Sequence, residues 1–265
     1  MMEPVVAAQP AIGNVVCDLD GVVYLLGKPV PGAGGALTEL DEAGYAVTFV
    51  TNNSTRSPVE SAVRIAELTG YPAQEHQVVG SAEAAVTLLG GDTGPVFVMG
   101  GAGIRQAMAV AGVAETEDPG AAVAVIVGLD TALSYDRLRD AVLAIRGGAR
   151  FIATNTDATY PTPDGLWPGA GAMVAAIQVA SGIEPEVAGK PHQAIRSLIR
   201  EHLRPGPVWV VGDRPETDLA MAKIEGWTSV LVLTGVVGHA DEVADEHRPD
   251  LILRSLADLP EALQS

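Results

Sequence analysis

Two aspartates stand two positions apart at the end of an apolar run, in the segment Asp18-Leu19-Asp20-Gly21. Residues two apart on an extended chain point to the same side, so both carboxylates are aimed at one place. Neighbouring carboxylates repel each other unless they share a proton or a cation, and a hard divalent ion such as Mg²⁺ suits them. The alternative is an ordinary turn in which one aspartate caps the element that follows.

A second apolar run ends in the polar segment Thr51-Asn52-Asn53-Ser54. Its hydroxyls, its two side-chain amides and the free backbone N–H groups of such a turn are donors that suit a phosphate group. The same four residues would also make a common polar turn before a helix.

Two more segments could complete such a site. Gly212-Asp213-Arg214-Pro215-Glu216-Thr217-Asp218 follows a third apolar run, so Asp213 could face a metal while Asp218 supports the loop. Gly189-Lys190-Pro191 precedes a helical pattern and adds a cation. As alternatives, Asp218 could serve only the dipole of the following helix, and Lys190 could be a solvated loop residue.

The elements that must position these residues can be predicted from apolar periodicity. Short runs rich in Val and Ile, each about as long as a buried strand, alternate with helical patterns. They lie at Asn14–Asp18, Tyr45–Thr51, Pro95–Met99, Val123–Val127, Phe151–Thr154, Pro207–Val211, Ser229–Leu233 and Leu251–Leu253. Ser57-Pro58-Val59-Glu60 predicts a helix start with an N-cap and a capping box. The alternation predicts an α/β protein with a mostly parallel sheet, whose carboxyl edge would carry the site.

The composition excludes several classes of protein. The 265 residues include 16 lysines and arginines against 33 aspartates and glutamates, a formal charge of −17, so no nucleic-acid partner is expected. Hydrophobic residues make up 48%, which excludes a disordered chain, and no apolar run is long enough to cross a bilayer. The single cysteine, Cys17, cannot form an internal disulfide, and the first residues show no secretory signal. We therefore expect a cytoplasmic protein without a membrane partner.

Taken together and in order, these motifs resemble the four sequence motifs of the haloacid-dehalogenase superfamily. Along the whole chain, the resemblance is to its NagD-like and p-nitrophenylphosphatase-like phosphatases. The matching segments are Asp18-Leu19-Asp20-Gly21-Val22, Pro31-Gly32-Ala33, Thr51-Asn52-Asn53, Gly189-Lys190-Pro191, Gly212-Asp213-Arg214 and Thr217-Asp218. The resemblance implies a Rossmann-like, doubly wound, mostly parallel sheet core with an inserted α/β cap domain. It places the core at 1–80 and 187–265 and the cap at 81–186.

The resemblance also implies a role for each motif residue. Asp18 would be the nucleophile that becomes an aspartyl phosphate, and Asp20 would be the general acid and base. Mg²⁺ would be bound by Asp18, by the backbone carbonyl of Asp20 and by Asp213. The residues implied to bind the phosphoryl group are Thr51, Asn52, Asn53, Lys190, Arg214 and Thr217. Gly21 and Asp218 would have supporting roles.

The implied activity is Mg²⁺-dependent hydrolysis of phosphate monoesters. The partner would be a small phosphorylated metabolite: a sugar, polyol, small-acid or nucleotide monophosphate. In the cap, Asn155, Asp157 and the segment Tyr160 to Trp167 are candidates for reading the leaving group, although they could equally serve only to shape the cap. The resemblance is also compatible with a homodimer through the cap. The alternative function is a non-catalytic phosphate-binding or phospho-acceptor protein on the same fold, which would have no use for an acid at Asp20.

Overall fold

The computed structural model describes residues 12–162, 164–239 and 243–264. Its strands, in chain order, are β1 (Asn14–Asp18), β2 (Tyr24–Leu25), β3 (Lys28–Pro29), β4 (Ala46–Thr51), β5 (Val78–Gly80), β6 (Val96–Met99), β7 (Ala124–Val127), β8 (Arg150–Ala153), β9 (Thr159–Thr162), β10 (Gly165–Pro168), β11 (Glu186–Val187), β12 (Val208–Gly212), β13 (Thr228–Val232) and β14 (Leu251–Leu253). Its α-helices are α1 (Ala33–Glu42), α2 (Pro58–Thr69), α3 (Ser81–Thr87), α4 (Ala102–Val110), α5 (Tyr135–Arg146), α6 (Ala170–Ser181), α7 (Gln193–His202), α8 (Ala220–Glu225) and α9 (Leu259–Ala262).

The main sheet has six parallel strands in the order β14-β13-β12-β1-β4-β5. Helices α1, α2 and α9 contribute to the apolar core on one face, and α3, α7 and α8 to the core on the other. Because both faces are covered, all five residues of β1 are buried, which explains its unbroken apolar run. The strand order reverses direction at β1, so the crevice at its carboxyl end is the place where a doubly wound sheet binds ligands.

A second, four-stranded parallel sheet has the order β11-β8-β7-β6. One face of this sheet packs on α5 and α6. The other face contributes to a continuous apolar cluster that also contains residues of the main sheet. That cluster joins Val16 and Val210 of the main sheet to Val98 and Ile126 of the second. The division of the chain into domains at 81 and 186 stays a prediction.

Two antiparallel hairpins lie outside these sheets. β2 pairs with β3 directly after Asp20, and β9 pairs with β10 between β8 and α6. Each is too short to show a periodic pattern, and neither was predicted from the sequence. In the parts of the chain that the structure describes, no helix is both long and apolar enough to span a membrane.

The α/β class with a mostly parallel sheet is confirmed. Each of the eight predicted strands is present within one residue at either end. The helix start at Ser57 is also confirmed: the Ser57 hydroxyl accepts a hydrogen bond from the Glu60 amide at 3.2 Å, and the Glu60 carboxylate accepts one from the Ser57 amide at 2.9 Å. The strands β5 and β11 were missed because two or three residues give no usable periodicity.

Candidate active site

The predicted residues meet at the carboxyl edge of the main sheet. Asp18 is the last residue of β1, and Thr51 is the last residue of β4, which pairs with β1 in parallel register. Asp213 follows the final residue of β12 on the other side of β1. Parallel pairing therefore brings three strand ends together, as the sequence predicted.

Three carboxylates form a buried cluster there. One oxygen from each of Asp18, Asp213 and Asp218 lies within 4.8 Å of the others. Lys190 adds one positive charge, so the four groups carry a formal charge of 1 minus 3, or −2. A divalent cation would balance that charge, and carboxylate oxygens are the ligands that Mg²⁺ prefers.

Asp213 carries a second sign of a cation site. Its Oδ2 accepts a hydrogen bond from the Val236 amide at 2.7 Å, while its buried Oδ1 has no hydrogen-bond partner in the described parts of the chain. Burial raises the pKa of Asp213 to about 6, and the nearby Asp218 carboxylate adds to the rise. A bound metal ion would give the buried Oδ1 a partner and would stabilise the negative charge of the carboxylate. The residues present therefore fit Mg²⁺.

Gly21 makes room for that carboxylate. Its φ of +94° lies in the left-handed region, and an added Cβ would lie only 2.4 Å from Asp213 Oδ2. The Gly21 carbonyl also accepts a hydrogen bond from the Thr234 hydroxyl at 2.6 Å. Any larger residue would displace the Asp213 carboxylate.

Lys190 holds two of the carboxylates together. Its ammonium group forms ion pairs with Asp18 and, at 2.7 Å, with Asp218, and it donates a further hydrogen bond to the Val50 carbonyl at 3.3 Å. Burial alone would lower the pKa of Lys190, but the two carboxylates raise it above its ordinary value, so the ammonium stays charged. Burial also raises the pKa of Asp18, and Lys190 opposes that rise.

Both carboxylate oxygens of Asp218 have hydrogen-bond partners. Its Oδ1 binds Lys190, and its Oδ2 accepts a hydrogen bond from the Arg214 backbone amide at 3.2 Å and lies 3.5 Å from the Thr217 hydroxyl. The π-helical turn Pro215–Leu219 carries both Thr217 and Asp218. This arrangement suits a group that fixes Lys190 and the loop.

Asp20 lies at the cavity wall, partly exposed. Burial raises the pKa of Asp20, and the positive charges of Arg56, Lys190, Arg64 and Arg214 partly oppose the rise. A carboxyl group with a raised pKa can hold a proton closer to neutral pH, which a general acid requires.

The loop after β4 presents hydrogen-bonding groups to the cavity. The Asn52 Oδ1 accepts a hydrogen bond from the Lys190 amide at 2.8 Å, and its Nδ2 donates to an Asp157 oxygen at 3.3 Å. The Thr51 hydroxyl accepts a hydrogen bond from the Asn53 amide at 3.0 Å. The Asn53 Oδ1 instead accepts two hydrogen bonds from Thr55, so this side chain shapes the turn.

The two cap candidates contact this loop and differ from each other. Asn155 is buried, donates to the Asn52 carbonyl at 2.7 Å and accepts from the Asp157 amide at 3.1 Å. Asp157 is only half-buried and faces the cavity beside Asn52. Tyr160 also lines the cavity, whereas Leu166 and Trp167 of the same segment are exposed.

A cavity of about 700 Å³ lies over these groups, between the main sheet and the second. All of the predicted phosphate-binding residues line it; among them, Arg214 precedes the π-helical turn and Thr217 lies within it. Among the residues that the structure describes, the cavity is lined by five of the chain's 16 lysines and arginines and by five of its 33 acidic residues. The cavity is therefore far less negative than the chain as a whole, which favours anionic ligands.

Some lining residues were missed by sequence reasoning: Arg56, Arg105, Asp130, Thr131 and Arg137. Only Arg56 had a local signal, because it follows the Thr51-Asn52-Asn53-Ser54 segment by two positions. The others reach the cavity through the packing of the second sheet, which no local pattern predicts.

Comparison with known proteins finds clear relatives. A family model described as haloacid dehalogenase-like hydrolase matches residues 15–114, and one described as HAD-hydrolase-like matches residues 187–259. The D-glycerol 3-phosphate phosphatase of Mycobacterium tuberculosis is 40% identical over 91% of this chain and 70% of its own length. The p-nitrophenyl phosphatase of Archaeoglobus fulgidus has a solved structure with a TM-score of 0.87, 32% identity, and coverage of 96% of this chain and 100% of that one. A structure of the Mycobacterium tuberculosis glycerol phosphate phosphatase in complex with magnesium has a TM-score of 0.84 and 36% identity, covering 95% of this chain and 77% of that one.

Proposed function

We propose a mechanism and a substrate class from one premise: this chain belongs to the haloacid dehalogenase-like hydrolases, as a NagD-like, Mg²⁺-dependent phosphate-monoester hydrolase. The observation that carries the mechanism is the juxtaposition of Asp18, Lys190 and the unpartnered oxygen of Asp213 at the end of β1. Among these, Asp18 is the carboxylate at the strand end itself, where it faces the cavity.

The first step is attack of an Asp18 carboxylate oxygen on phosphorus. A bond forms between that oxygen and phosphorus, the bond from phosphorus to the ester oxygen breaks, and Asp20 gives its proton to the departing alkoxide. The product is an aspartyl phosphate on Asp18 and a free alcohol. Dividing the displacement into two steps lowers each barrier.

The second step regenerates the enzyme. Asp20, now a carboxylate, takes a proton from water, whose oxygen attacks phosphorus. The bond from phosphorus to the Asp18 oxygen breaks, and inorganic phosphate leaves. The same carboxyl group therefore acts as acid and then as base, which its raised pKa and its position at the cavity wall support.

Charge neutralisation accounts for much of the rate in phosphoryl transfer. In this mechanism Lys190, Thr51 and Asn52 bind the phosphoryl oxygens together with Arg214 and Thr217, and all five line the cavity. When Mg²⁺ is bound by Asp18, Asp213 and the Asp20 carbonyl, it supplies further neutralisation of the phosphoryl charge. Gly21 and Asp218 keep Asp213 and Lys190 in place.

The substrate we propose is a small phosphorylated metabolite with a short polar alcohol part. The relatives are named for glycerol phosphate and p-nitrophenyl phosphate, so the family accepts leaving groups of different size. Here the cavity wall beside the reacting groups carries mostly polar side chains, with Tyr160 as its one aromatic residue among those the structure describes. Asp157, which lines the cavity and is half-buried, is the side chain that we propose contacts the leaving group.

Release of phosphate from p-nitrophenyl phosphate and a panel of small esters tests this function. We expect turnover with Mg²⁺, its loss on removal of the ion with EDTA, and its return when Mg²⁺ is added back. Equal turnover in EDTA would contradict the role of the metal site. A Mg²⁺-loaded protein that hydrolyses none of the esters would contradict the proposed substrate class.

We also propose a homodimer through the cap. Helix α6 carries no charged residue, and Val179 on its outer face is 85% exposed. A second copy of the chain would cover this apolar face. Sedimentation should give a dimer that Val179→Glu weakens; a monomer at all concentrations would contradict the proposal.

A cytoplasmic location without nucleic-acid or membrane partners is proposed from the same sequence features. The buried, unpaired Cys17 suits a reducing compartment, and the strong net negative charge disfavours binding to nucleic acid or anionic lipid.

A further inference from the structure

One of the cations that line the cavity has neither a role in the mechanism nor a partner in the described parts of the chain. Of the five lysines and arginines that line it, four have partners within the protein. These partners are Asp18 and Asp218 for Lys190, Glu115 and the Gly100 carbonyl for Arg105, Glu117 and the Val98 carbonyl for Arg137, and the Thr159 carbonyl for Arg214. The fifth is Arg56.

Arg56 has no hydrogen bond or ion pair with any residue in 12–162, 164–239 or 243–264. It is half-buried, so its guanidinium group is only partly hydrated. An arginine presents five donors in a planar fork that matches a carboxylate or a phosphate. A guanidinium group without a protein partner in a ligand cavity is thus available to an anionic ligand.

The backbone of Arg56 is held from two sides. Ser57, the next residue, is the N-cap of α2, with both hydrogen bonds of the capping box in place. Helix α4 packs against the other side: the Gly103 amide donates to the Thr55 carbonyl at 3.3 Å, and a Cβ on Gly103 would lie 2.6 Å from the Arg56 carbonyl oxygen. The backbone position from which the Arg56 side chain extends is therefore well defined.

Arg56 lines the cavity together with Asp20, the residue proposed to protonate the leaving group. Among the positive charges that lower the pKa of the Asp20 carboxyl, the guanidinium of Arg56 acts most strongly. Asp20 is the group that protonates the departing alcohol, whereas Lys190 lies beside Asp18 on the phosphoryl side. In the proposed mechanism a substrate whose phosphoryl group lies at Asp18 and Lys190 has its alcohol part beside Asp20, in the cavity that Arg56 also lines.

The carboxylates on the cap side of the cavity do not cancel this charge. Asp157 is hydrogen-bonded to Asn52, and Asp130 lies 4.0 Å from Arg137 while its Oδ1 accepts a hydrogen bond from the Ala132 amide. Each is already engaged with other groups. Neither is within ion-pair distance of Arg56.

We propose that Arg56 binds a second anionic group, a carboxylate or a further phosphate, on the alcohol part of the substrate. The enzyme then prefers monoesters whose leaving alcohol is itself negatively charged over neutral ones of the same length. This inference rests on the proposed function, because it assumes that Asp20 faces the leaving group. Arg56 is then a residue that determines specificity.

Matched pairs of esters test the inference. One pair is phosphoglycolate and 2-hydroxyethyl phosphate; the other is 1,3-propanediol bisphosphate and 3-hydroxypropyl phosphate. In at least one pair the ratio of kcat/KM, charged over neutral, should exceed one in the wild type and fall roughly 10- to 100-fold in Arg56→Gln. Arg56→Lys should keep part of the ratio, and Arg254→Gln, which breaks an exposed pair with Asp258 outside the cavity, should leave it unchanged.

The outcomes separate this inference from the proposed function. A fall confined to the first pair assigns a carboxylate, and one confined to the second assigns a phosphate. Equal losses on both members of a pair, in a variant whose thermal unfolding is normal, would mean that Arg56 acts through Asp20 and would overturn the inference. Wild-type turnover of p-nitrophenyl phosphate with no preference in either pair would overturn it while leaving the proposed function standing; no turnover of any ester would overturn both.

Discussion

The buried cluster of Asp18, Asp213, Asp218 and Lys190 differs sharply from the rim of the same cavity, formed by Arg56, Asp157 and Tyr160. In the cluster each residue is at most 8% exposed. Every rim side chain is half-buried. Ion pairs join Lys190 to Asp18 and Asp218 in the cluster, whereas none of the three rim residues forms an ion pair within the described parts of the chain. The difference indicates that the cluster determines the chemistry and that the rim determines which ester is accepted.

Replacing Asp18 should have the largest effect. Asp18→Asn removes the nucleophile, so kcat should fall about 10⁴-fold or more. The protein should still fold, because Asn has the same shape and Lys190 keeps Asp218 as a partner. Steady-state kinetics measure the fall in kcat, and thermal unfolding shows whether the variant is folded. The matched control is Asp136→Asn on the exposed surface, and full activity in Asp18→Asn would refute the mechanism.

Replacing Lys190 should lower stability as well as turnover. Lys190→Met leaves two buried carboxylates without their cation, and the free energy of unfolding of the metal-free protein should fall by about 3–5 kcal/mol. Denaturant unfolding measures the change. Lys223→Met, at an exposed position, should change it by less than about 0.5 kcal/mol. If both substitutions lowered the free energy of unfolding equally, the buried cluster would contribute no more to stability than an exposed lysine, which would contradict this prediction.

Metal binding should depend on pH through Asp213. Its pKa is raised to about 6, so in the metal-free protein the folded state holds a proton that the unfolded chain has already lost. Stability should therefore fall, by on the order of 2–3 kcal/mol, as pH rises from about 4 to 6.

Added Mg²⁺ should restore that stability more at pH 7 than at pH 5. Thermal unfolding with Mg²⁺ and with EDTA at each pH measures the effect. In Asp213→Asn the pH dependence of the Mg²⁺ effect should largely disappear. A Mg²⁺ effect that is the same at both pH values in the wild type would contradict this account of the site.

The smallest effect is expected at the rim. Asp157→Ala frees the Asn52 amide from its 3.3 Å contact and removes a negative charge beside it. The ranking of esters by kcat/KM should shift by up to about tenfold, which corresponds to about 1.4 kcal/mol. Asp157→Asn keeps a polar group of the same size and should shift the ranking less. An unchanged ranking in Asp157→Ala would remove Asp157 from substrate selection.

The sequence was informative where chemistry and periodicity are local. The apolar run ending at Asp18 predicted both β1 and the position of its carboxylate, because a buried parallel strand needs an unbroken apolar segment. The capping box at Ser57 predicted the start of α2 in the same way. The family resemblance supplied the roles of the motif residues, which spacing alone left open.

Contacts between distant parts of the chain could not be predicted. Asn52 and Asp157 are 105 positions apart, and they meet only because the second sheet packs over the first. That Arg56 has no partner among the residues that the structure describes is likewise a property of the assembled cavity. A lone arginine in a polar turn has no sequence pattern that distinguishes it from a solvated residue.

The central claim is that Asp18 carries the phosphoryl group during turnover. Asp20→Asn should slow the second step, so acid quenching of this variant with Mg²⁺ and p-nitrophenyl phosphate, followed by peptide mass spectrometry, is the most direct test. For the Asp20→Asn variant the account predicts one phosphoryl group, on the peptide that contains Asp18. For the double variant Asp18→Asn, Asp20→Asn it predicts none. Release of p-nitrophenol by the Asp20→Asn variant, with no phosphoryl group on Asp18 at any quench time, would contradict the account.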